Sequence, residues 1–266
     1  MTSEHIALQR VSNTRDLGGM AGLGGRRIQS SKLYRSGELH GASDADRIWL
    51  CNHIDLVIDL RTPQEIAEAP DPELPGIRFV TLPIMESLTQ GVTYEKDAYD
   101  QVFLRLASNP AEAFNYMIQV YENMICQEHA RKLWSRMLDL LTEKYDRGIL
   151  FHCTAGKDRA GMAAILIEEI LGVESSDILE DYLYTGICLQ KHINDLIEGI
   201  KQSFGNRTQP VSDEALRHLF DVHPTYFSAL FRAAEDRFGG MQGWIRDGLC
   251  VTQDMMKSLQ RLYLSP

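Results

Sequence analysis

The chain of 266 residues has no cysteine pair at metal-ligand spacing and no disulfide framework. Its five cysteines, Cys51, Cys126, Cys153, Cys188 and Cys250, are scattered and odd in number. It lacks a long hydrophobic run: the longest, Ala160 to Ile167, falls far short of the roughly 20 residues a membrane span needs. The opening MTSEHIALQR has an early acid and no apolar core of signal-peptide length. A reduced, cytoplasmic protein without an integral membrane segment is therefore expected, and export without a cleavable signal stays open. Basic charge is also scarce, since 27 Lys and Arg against 37 Asp and Glu leave a net charge of −10. A nucleic-acid partner is thereby disfavoured, although a local basic pocket remains compatible with that total. Repeats, low-complexity tracts and true linkers are missing too. The nearest to a linker, Ala69 to Gly76 with Pro70, Pro72 and Pro75, reads as a loop between strands.

What is present is ordinary globular composition, 44% hydrophobic and 24% charged, with ample length for a core. Short strands are expected at Arg27–Gln29 and Leu33–Arg35. Ser43 and Asp46 form a capping box for a helix reaching about Asn52. Ile54–Leu60 (IDLVIDL) suits a buried parallel strand, and Ile77–Leu82 another. Helices follow at Ala111–Ile125 after Pro110 and at Glu128–Tyr145, the second with Leu133, Trp134, Met137, Leu138, Leu141 and Tyr145 on one face. Gly148–Phe151 is a strand, and Arg159–Leu171 a helix stopped by Gly172. From Ser176 on, helices dominate: one capped by Ser176 or Asp177, one by Ser212, one from Pro224 to Phe238, and a last one at Gln253–Leu264. The expected class is α/β, a mainly parallel central sheet flanked by helices with an appended C-terminal helical region. The glycines between Gly18 and Gly25 lack a Gly-Lys-Ser/Thr ending and read as turns, not as a nucleotide loop.

The chemistry concentrates in Phe151–Gly161, FHCTAGKDRAG, between a buried strand and a helix. Cys153 and Arg159 are separated by five residues. A short strand-to-helix loop turns successive N–H groups inward and forms an anion nest, to which the helix N-terminus adds partial positive charge. Arg159 brings a planar fork matched to two phosphoryl oxygens. Cys153, at the base of the nest, is placed where those dipoles favour a thiolate. Gly156 permits the tight turn. The implied reaction is covalent phosphoryl transfer on Cys153, with Thr154, Ala155, Gly156, Lys157, Asp158 and Arg159 binding the phosphate. No metal or cofactor is called for.

His152-Cys153, five residues and Arg159 resemble the protein tyrosine phosphatase signature. Ala155-Gly156-Lys157-Asp158-Arg159 is similar to a narrower group, the bacterial tyrosine and lipid phosphatases of the mycobacterial phosphatase B and Listeria lipid phosphatase type. Asn13–Gly19 (NTRDLGG), Tyr34-Arg35-Ser36-Gly37 and Ile58-Asp59-Leu60-Arg61 resemble the same group in order. The likeness covers residues 13 to about 185 and is weak over the C-terminal third. It implies activity on phosphotyrosine, variably on phosphoserine, phosphothreonine and phosphoinositides. It also implies Asp158 as general acid inside the loop and Lys157 as a contact for a second phosphate. One phosphatase domain over 1–266 is expected: a catalytic core at 1–185, a helical insertion or lid candidate at 186–240, and a C-terminal helix at 241–266. Many members carry Ser or Thr straight after the arginine. Here Ala160 stands there, and a slow enzyme with a pre-steady-state burst is expected.

Competing readings exist at several positions. Asp158 in a first helical turn can be only a charge on the helix dipole. Its rivals as the acid are Asp59, at the end of a strand that opens on the same crevice, and Asp71 in the proline-rich loop. Lys157 is a substrate contact or a solvated cation. His152, before the nucleophile, is a candidate base, but is expected rather to point away and bond to backbone. Arg61 is expected to hold Asp59, and Arg15 and Asp16 to form a structural ion pair. The remaining cysteines read as packing, with a protective disulfide to Cys153 left open. Partners are a phosphorylated protein or a phosphoinositide. Functional rivals are a phosphate-binding module that has lost turnover and, further off, sulfur transfer or arsenate reduction.

Overall fold

The computed structural model describes residues 3–85, 96–204 and 211–266. Six strands form one sheet in the order β1-β2-β3-β6-β4-β5. They are β1 (Glu4–His5), β2 (Arg15–Asp16), β3 (Leu33–Ser36), β4 (Ile54–Asp59), β5 (Arg78–Thr81) and β6 (Gly148–His152). The last four in spatial order run parallel, while β1 and β2 add an antiparallel edge. The expected parallel strands are thus found, with β6 central. Arg27–Gln29 is not a strand: only single bridges form, Ala21 to Arg27 and Ile28 to Leu264. The turn through Gly24 and Gly25, both at positive φ, leaves no length for a ladder there.

The helices are α1 (Asp44–His53), α2 (Pro63–Glu68), α3 (Lys96–Ser108), α4 (Pro110–Cys126), α5 (Glu128–Thr142), α6 (Asp158–Leu171), α7 (Ser175–Phe204), α8 (Asp213–Phe220), α9 (Pro224–Phe238), α10 (Met241–Gly243) and α11 (Gln253–Tyr263). Local chemistry explains their ends. Ser43 and Asp46 make the reciprocal capping box of α1. Gly172, left-handed at φ 73°, closes α6. The stripe of α5 is buried at Trp134, Met137, Leu138 and Leu141, but the helix stops at Thr142, short of Tyr145. Tyr145 instead hydrogen-bonds Glu143 from the following turn.

The central layer buries Leu56, Ile58, Ile149 and Phe151 against α4, α5 and α6, with Tyr121, Trp134, Met162 and Ile165 in the same cluster. α9 belongs to this core through Tyr226, Phe227, Leu230 and Ala234. The region after residue 185 is therefore divided differently from the sequence reading. α7 runs unbroken through the expected boundary at 185/186. Its distal half joins α3 and α8 in a separate small cluster of Ala107, Leu189, Ile193, Ile197 and Leu216. The expected C-terminal helix at 241–266 is α10, a wide turn at Trp244–Gly248, and α11.

Candidate active site

The carboxyl ends of β3, β4 and β6 meet at one edge, where parallel sheets open a crevice. Residues 153–157 leave β6 there and enter α6. Cys153 is 2% exposed. Gly156 has φ +67°, and a Cβ on it would lie 2.5 Å from the Ser36 carbonyl oxygen, so only glycine fits. Asn13 Nδ2 donates to the carbonyls of Gly156 at 2.9 Å and Ala155 at 3.3 Å. Arg35, fully buried on β3, donates to the Gly156 carbonyl at 2.8 Å and to Asp181 at 3.2 Å. The loop's carbonyls are thus engaged from below. Among the described residues, nothing accepts the N–H groups of Thr154, Ala155, Gly156 or Lys157. Four unpartnered amides in a row beside a helix N-terminus form an anion nest.

Arg159 meets Glu65 of α2 in a two-pronged pair, Nη1 to Oε2 at 2.6 Å and Nη2 to Oε1 at 2.7 Å. Glu65 also accepts the Thr154 hydroxyl and the Thr62 amide. Burial alone would raise its pKa, but the hydrogen bonds and charge of Arg159, with those of Thr154 and Thr62, prevail and hold it at about 2. Glu65 therefore fixes the plane of the Arg159 fork. Sequence reading missed it, although Thr62-Pro63-x-Glu65 is a capping-box pattern with proline at the first helical position.

Asp158 opens α6 and is the only acid among the described residues lining the cavity above Cys153. Its Oδ1 accepts the Tyr121 hydroxyl at 2.6 Å. Lys157 lines the same cavity, yet its ammonium donates to the carbonyls of Leu219 at 2.8 Å and Asp221 at 3.2 Å, at the end of α8. It lies 3.4 Å from Asp158 Oδ1 and is 3% exposed. In this conformation its donors serve the helix end and not the cavity.

Asp59 is placed elsewhere. Its carboxylate is gripped by Arg61 through Nε at 3.0 Å and Nη2 at 2.8 Å, and it does not line the cavity. The β4 terminus brings it to the right edge of the sheet, but Arg61, two residues on, turns it away from Cys153. Asp71 is bound to the same Arg61 at 2.8 Å and lies 2.9 Å from His152 Nε2. His152, wholly buried, turns from the cavity, with Nδ1 3.3 Å from the Cys153 carbonyl. Asp59, Asp71 and His152 have metal-triad spacing, within 4.8 Å. Arg61 already supplies the cation both carboxylates need. Arg15 and Asp16 do not pair, because neighbours on β2 face opposite sides. Arg15 donates to the Asp181 carbonyl and the Thr185 hydroxyl, and Asp16 accepts the amides of Gly18 and Ser31.

Above the loop lies a cavity of about 270 Å³ with mostly apolar walls. α3 contributes Val102, Phe103 and Leu106, α7 contributes Leu189, Ile193 and Leu196, and α8 contributes Leu219 and Phe220. Ala160 is fully buried among apolar neighbours. Such a site offers an anion nest at its floor and an apolar sleeve for what the anion is attached to.

A tyrosine phosphatase family model matches residues 6–265. A Cupriavidus necator protein whose name assigns it as a tyrosine-protein phosphatase is 34% identical over 251 residues, covering 92% of this chain and 84% of that protein. The triple specificity protein phosphatase PtpB of Mycobacterium tuberculosis is 27% identical over 83% of this chain and 86% of its own. A tyrosine-protein phosphatase of Nostoc commune is 25% identical over 88% of this chain and 75% of its own. No described helix is long and apolar enough to cross a membrane. With the Cys153 loop, its anion nest and these relatives agreeing over nearly the whole chain, the protein belongs to the tyrosine phosphatase family.

Proposed function

We propose that this phosphatase works through a phosphocysteine on Cys153, with phosphotyrosine as its first substrate. The observation that carries the reading is the row of four unpartnered amides around Cys153, closed on one side by the Arg159 fork. The Cys153 thiolate attacks phosphorus and the P–O bond to the leaving group breaks. Asp158 gives its proton to the departing oxygen. Water then attacks the phosphocysteine and Asp158, now a carboxylate, takes the water's proton. The S–P bond breaks, and thiolate and inorganic phosphate are restored. Amides and Arg159 carry the charge that builds on the equatorial oxygens. Asp59 takes no part: it and Asp71 serve, through Arg61, to hold the β4 end and His152 behind the loop.

The name of the mycobacterial relative suggests a wider substrate range. Phosphoinositides are the second reading, and Lys157 would have to leave the end of α8 to meet a second phosphate. A net charge of −10 disfavours anionic membranes, so soluble headgroups would be preferred over vesicles. The distal half of α7 with α8 acts as a cover over the loop, within a single phosphatase domain. All five cysteines are unpaired, which fits a reducing cytoplasm.

The test pairs wild type with Cys153→Ser. Phosphate release is read from a phosphotyrosine peptide and a phosphoinositide with a chelator present. Release by wild type alone is expected, larger on the peptide, with a burst before slower turnover. Phosphate binding without release from either would instead favour a binding module and make Ala160→Thr the variant to try.

A further inference from the structure

Asp158 does not stand alone at the floor of the cavity. Tyr121 on α4 donates to its Oδ1 at 2.6 Å, and Tyr182 on α7 donates to the Tyr121 hydroxyl at 2.9 Å. The two rings are fully buried and meet edge-on, with centroids 6.1 Å apart at 87°. Tyr226 stacks at an angle on Tyr121, 5.5 Å away. Burial, reinforced by the nearby Asp158 charge, drives the Tyr121 hydroxyl well above its ordinary value, so it stays a donor throughout the working range.

Packing alone needs no hydroxyl at either position. Phenylalanine would fill the same core and would bring no buried polar atom needing a partner. The hydroxyls instead form a directed chain, Tyr182 to Tyr121 to Asp158. α4 and α7 both pack into the core that carries the sheet, so the chain ends on a rigid base. A carboxyl that delivers a proton must present one chosen oxygen in one orientation. Tyr121 fixes Oδ1. Among the described residues no hydrogen bond falls on Oδ2, which is left to hold the proton for the leaving oxygen.

We infer that Tyr121, backed by Tyr182, is a positioning residue that selects the proton-bearing oxygen of Asp158 and aims it at the leaving group. This rests on the reading of Asp158 as general acid. The consequence is specific. A leaving group of high basicity needs the proton as its bond breaks, whereas a dinitrophenolate leaves without one. Loss of the Tyr121 hydroxyl therefore penalises the first and spares the second. A hydroxyl that merely satisfied itself on a nearby carboxylate would show no such selectivity.

The experiment measures kcat/KM, which reports steps up to the first irreversible one, on phenyl phosphate and on 2,4-dinitrophenyl phosphate. The proteins are wild type, Tyr121→Phe, Asp158→Asn and the double variant. Asp158→Asn is expected to lose about a hundredfold on phenyl phosphate and little on the dinitrophenyl ester. Tyr121→Phe is expected to lose about tenfold on phenyl phosphate and less than about twofold on the other. The double variant should be no worse than Asp158→Asn, since the hydroxyl acts only through that carboxyl. An equal loss of Tyr121→Phe on both esters, or additive losses in the double variant, overturns the inference while Asp158 keeps its role. Equal losses of Asp158→Asn on both esters remove the acid reading and this inference with it. If Tyr121→Phe does not fold, Tyr182→Phe leaves Tyr121 in place and reads the same chain. A loss of about threefold on phenyl phosphate alone is then expected, and no selective loss contradicts it.

Discussion

The phosphate loop has two very different sides. Beneath it, charged and polar groups are buried and mutually fixed: Asn13 and Arg35 on the loop's carbonyls, Glu65 on Arg159, Asp181 between Arg35 and Arg15. Above it, α3, the distal half of α7 and α8 present apolar side chains and form a small cluster of their own. The described polar ties between loop and cover run from the Lys157 ammonium to two carbonyls at the end of α8. The underside holds the anion site in one shape, because these paired groups depend on one another. The cover decides what may be attached to the anion, because apolar walls select by size and hydrophobicity.

Four substitutions separate the roles of the two sides. The largest concerns the Arg159 fork. Arg159→Lys keeps the charge but loses the two-oxygen geometry, and kcat on a phosphotyrosine peptide should fall about a thousandfold. A loss under tenfold would show that charge alone suffices.

The next acts one step behind. Glu65→Gln keeps the shape but leaves the Arg159 fork loosely aimed, and kcat/KM should fall about thirtyfold. The same pair carries a pH signature. Glu65 is depressed from 4.5 to about 2, so its stabilisation is full above 4.5 and is lost as pH falls towards 2. The melting-temperature gap between wild type and Glu65→Gln should therefore be constant at neutral pH and close between pH 4.5 and 2. A gap that does not change on acidification contradicts the pairing.

On the upper side the effect should be smaller and of a different kind. Phe220→Ala should raise KM for a phosphotyrosine peptide about fivefold and leave inhibition by inorganic phosphate unchanged. Equal weakening of both would mean that the cover also shapes the anion nest.

The smallest concerns Glu168, which lies wholly buried beneath the loop with neither oxygen hydrogen-bonded. Burial, helped by the Asp181 charge and opposed by Arg35 and Arg15, raises its pKa well above 4.5. A carboxyl raised in the folded state stabilises least at high pH, because the unfolded chain ionises first. Glu168→Gln should therefore melt with wild type below pH 4.5 and about 2 °C higher at neutral pH. A lower melting temperature at neutral pH would show that Glu168 is ionised and useful to the arginines.

The two sides also differ in how far the sequence discloses them. The loop is read from eleven consecutive residues, FHCTAGKDRAG, since strand, turn and helix must follow in that order. The caps at Ser43 and Ser212 and the stop at Gly172 are equally local and equally visible. Partners that act across the sheet are not. Glu65 lies 94 positions from Arg159, and Tyr121 lies 37 from Asp158, so no spacing links them. Strand topology alone makes Asp59 a rival to Asp158. Only the Arg61 side chain, reaching back two residues, removes it from the cavity. The cover is the least legible part, because its wall is assembled from three helices and the limits of its middle member fall inside one unbroken α7.

A phosphocysteine mechanism requires the phosphate to sit on the enzyme during turnover. Wild type is mixed with a phosphotyrosine peptide, quenched within milliseconds and digested, and the peptides are weighed by mass spectrometry. One phosphate on Cys153 is expected, formed at the rate of the burst and absent from Cys153→Ser. Turnover with no phosphate on Cys153, or an adduct on another residue such as His152, would contradict it.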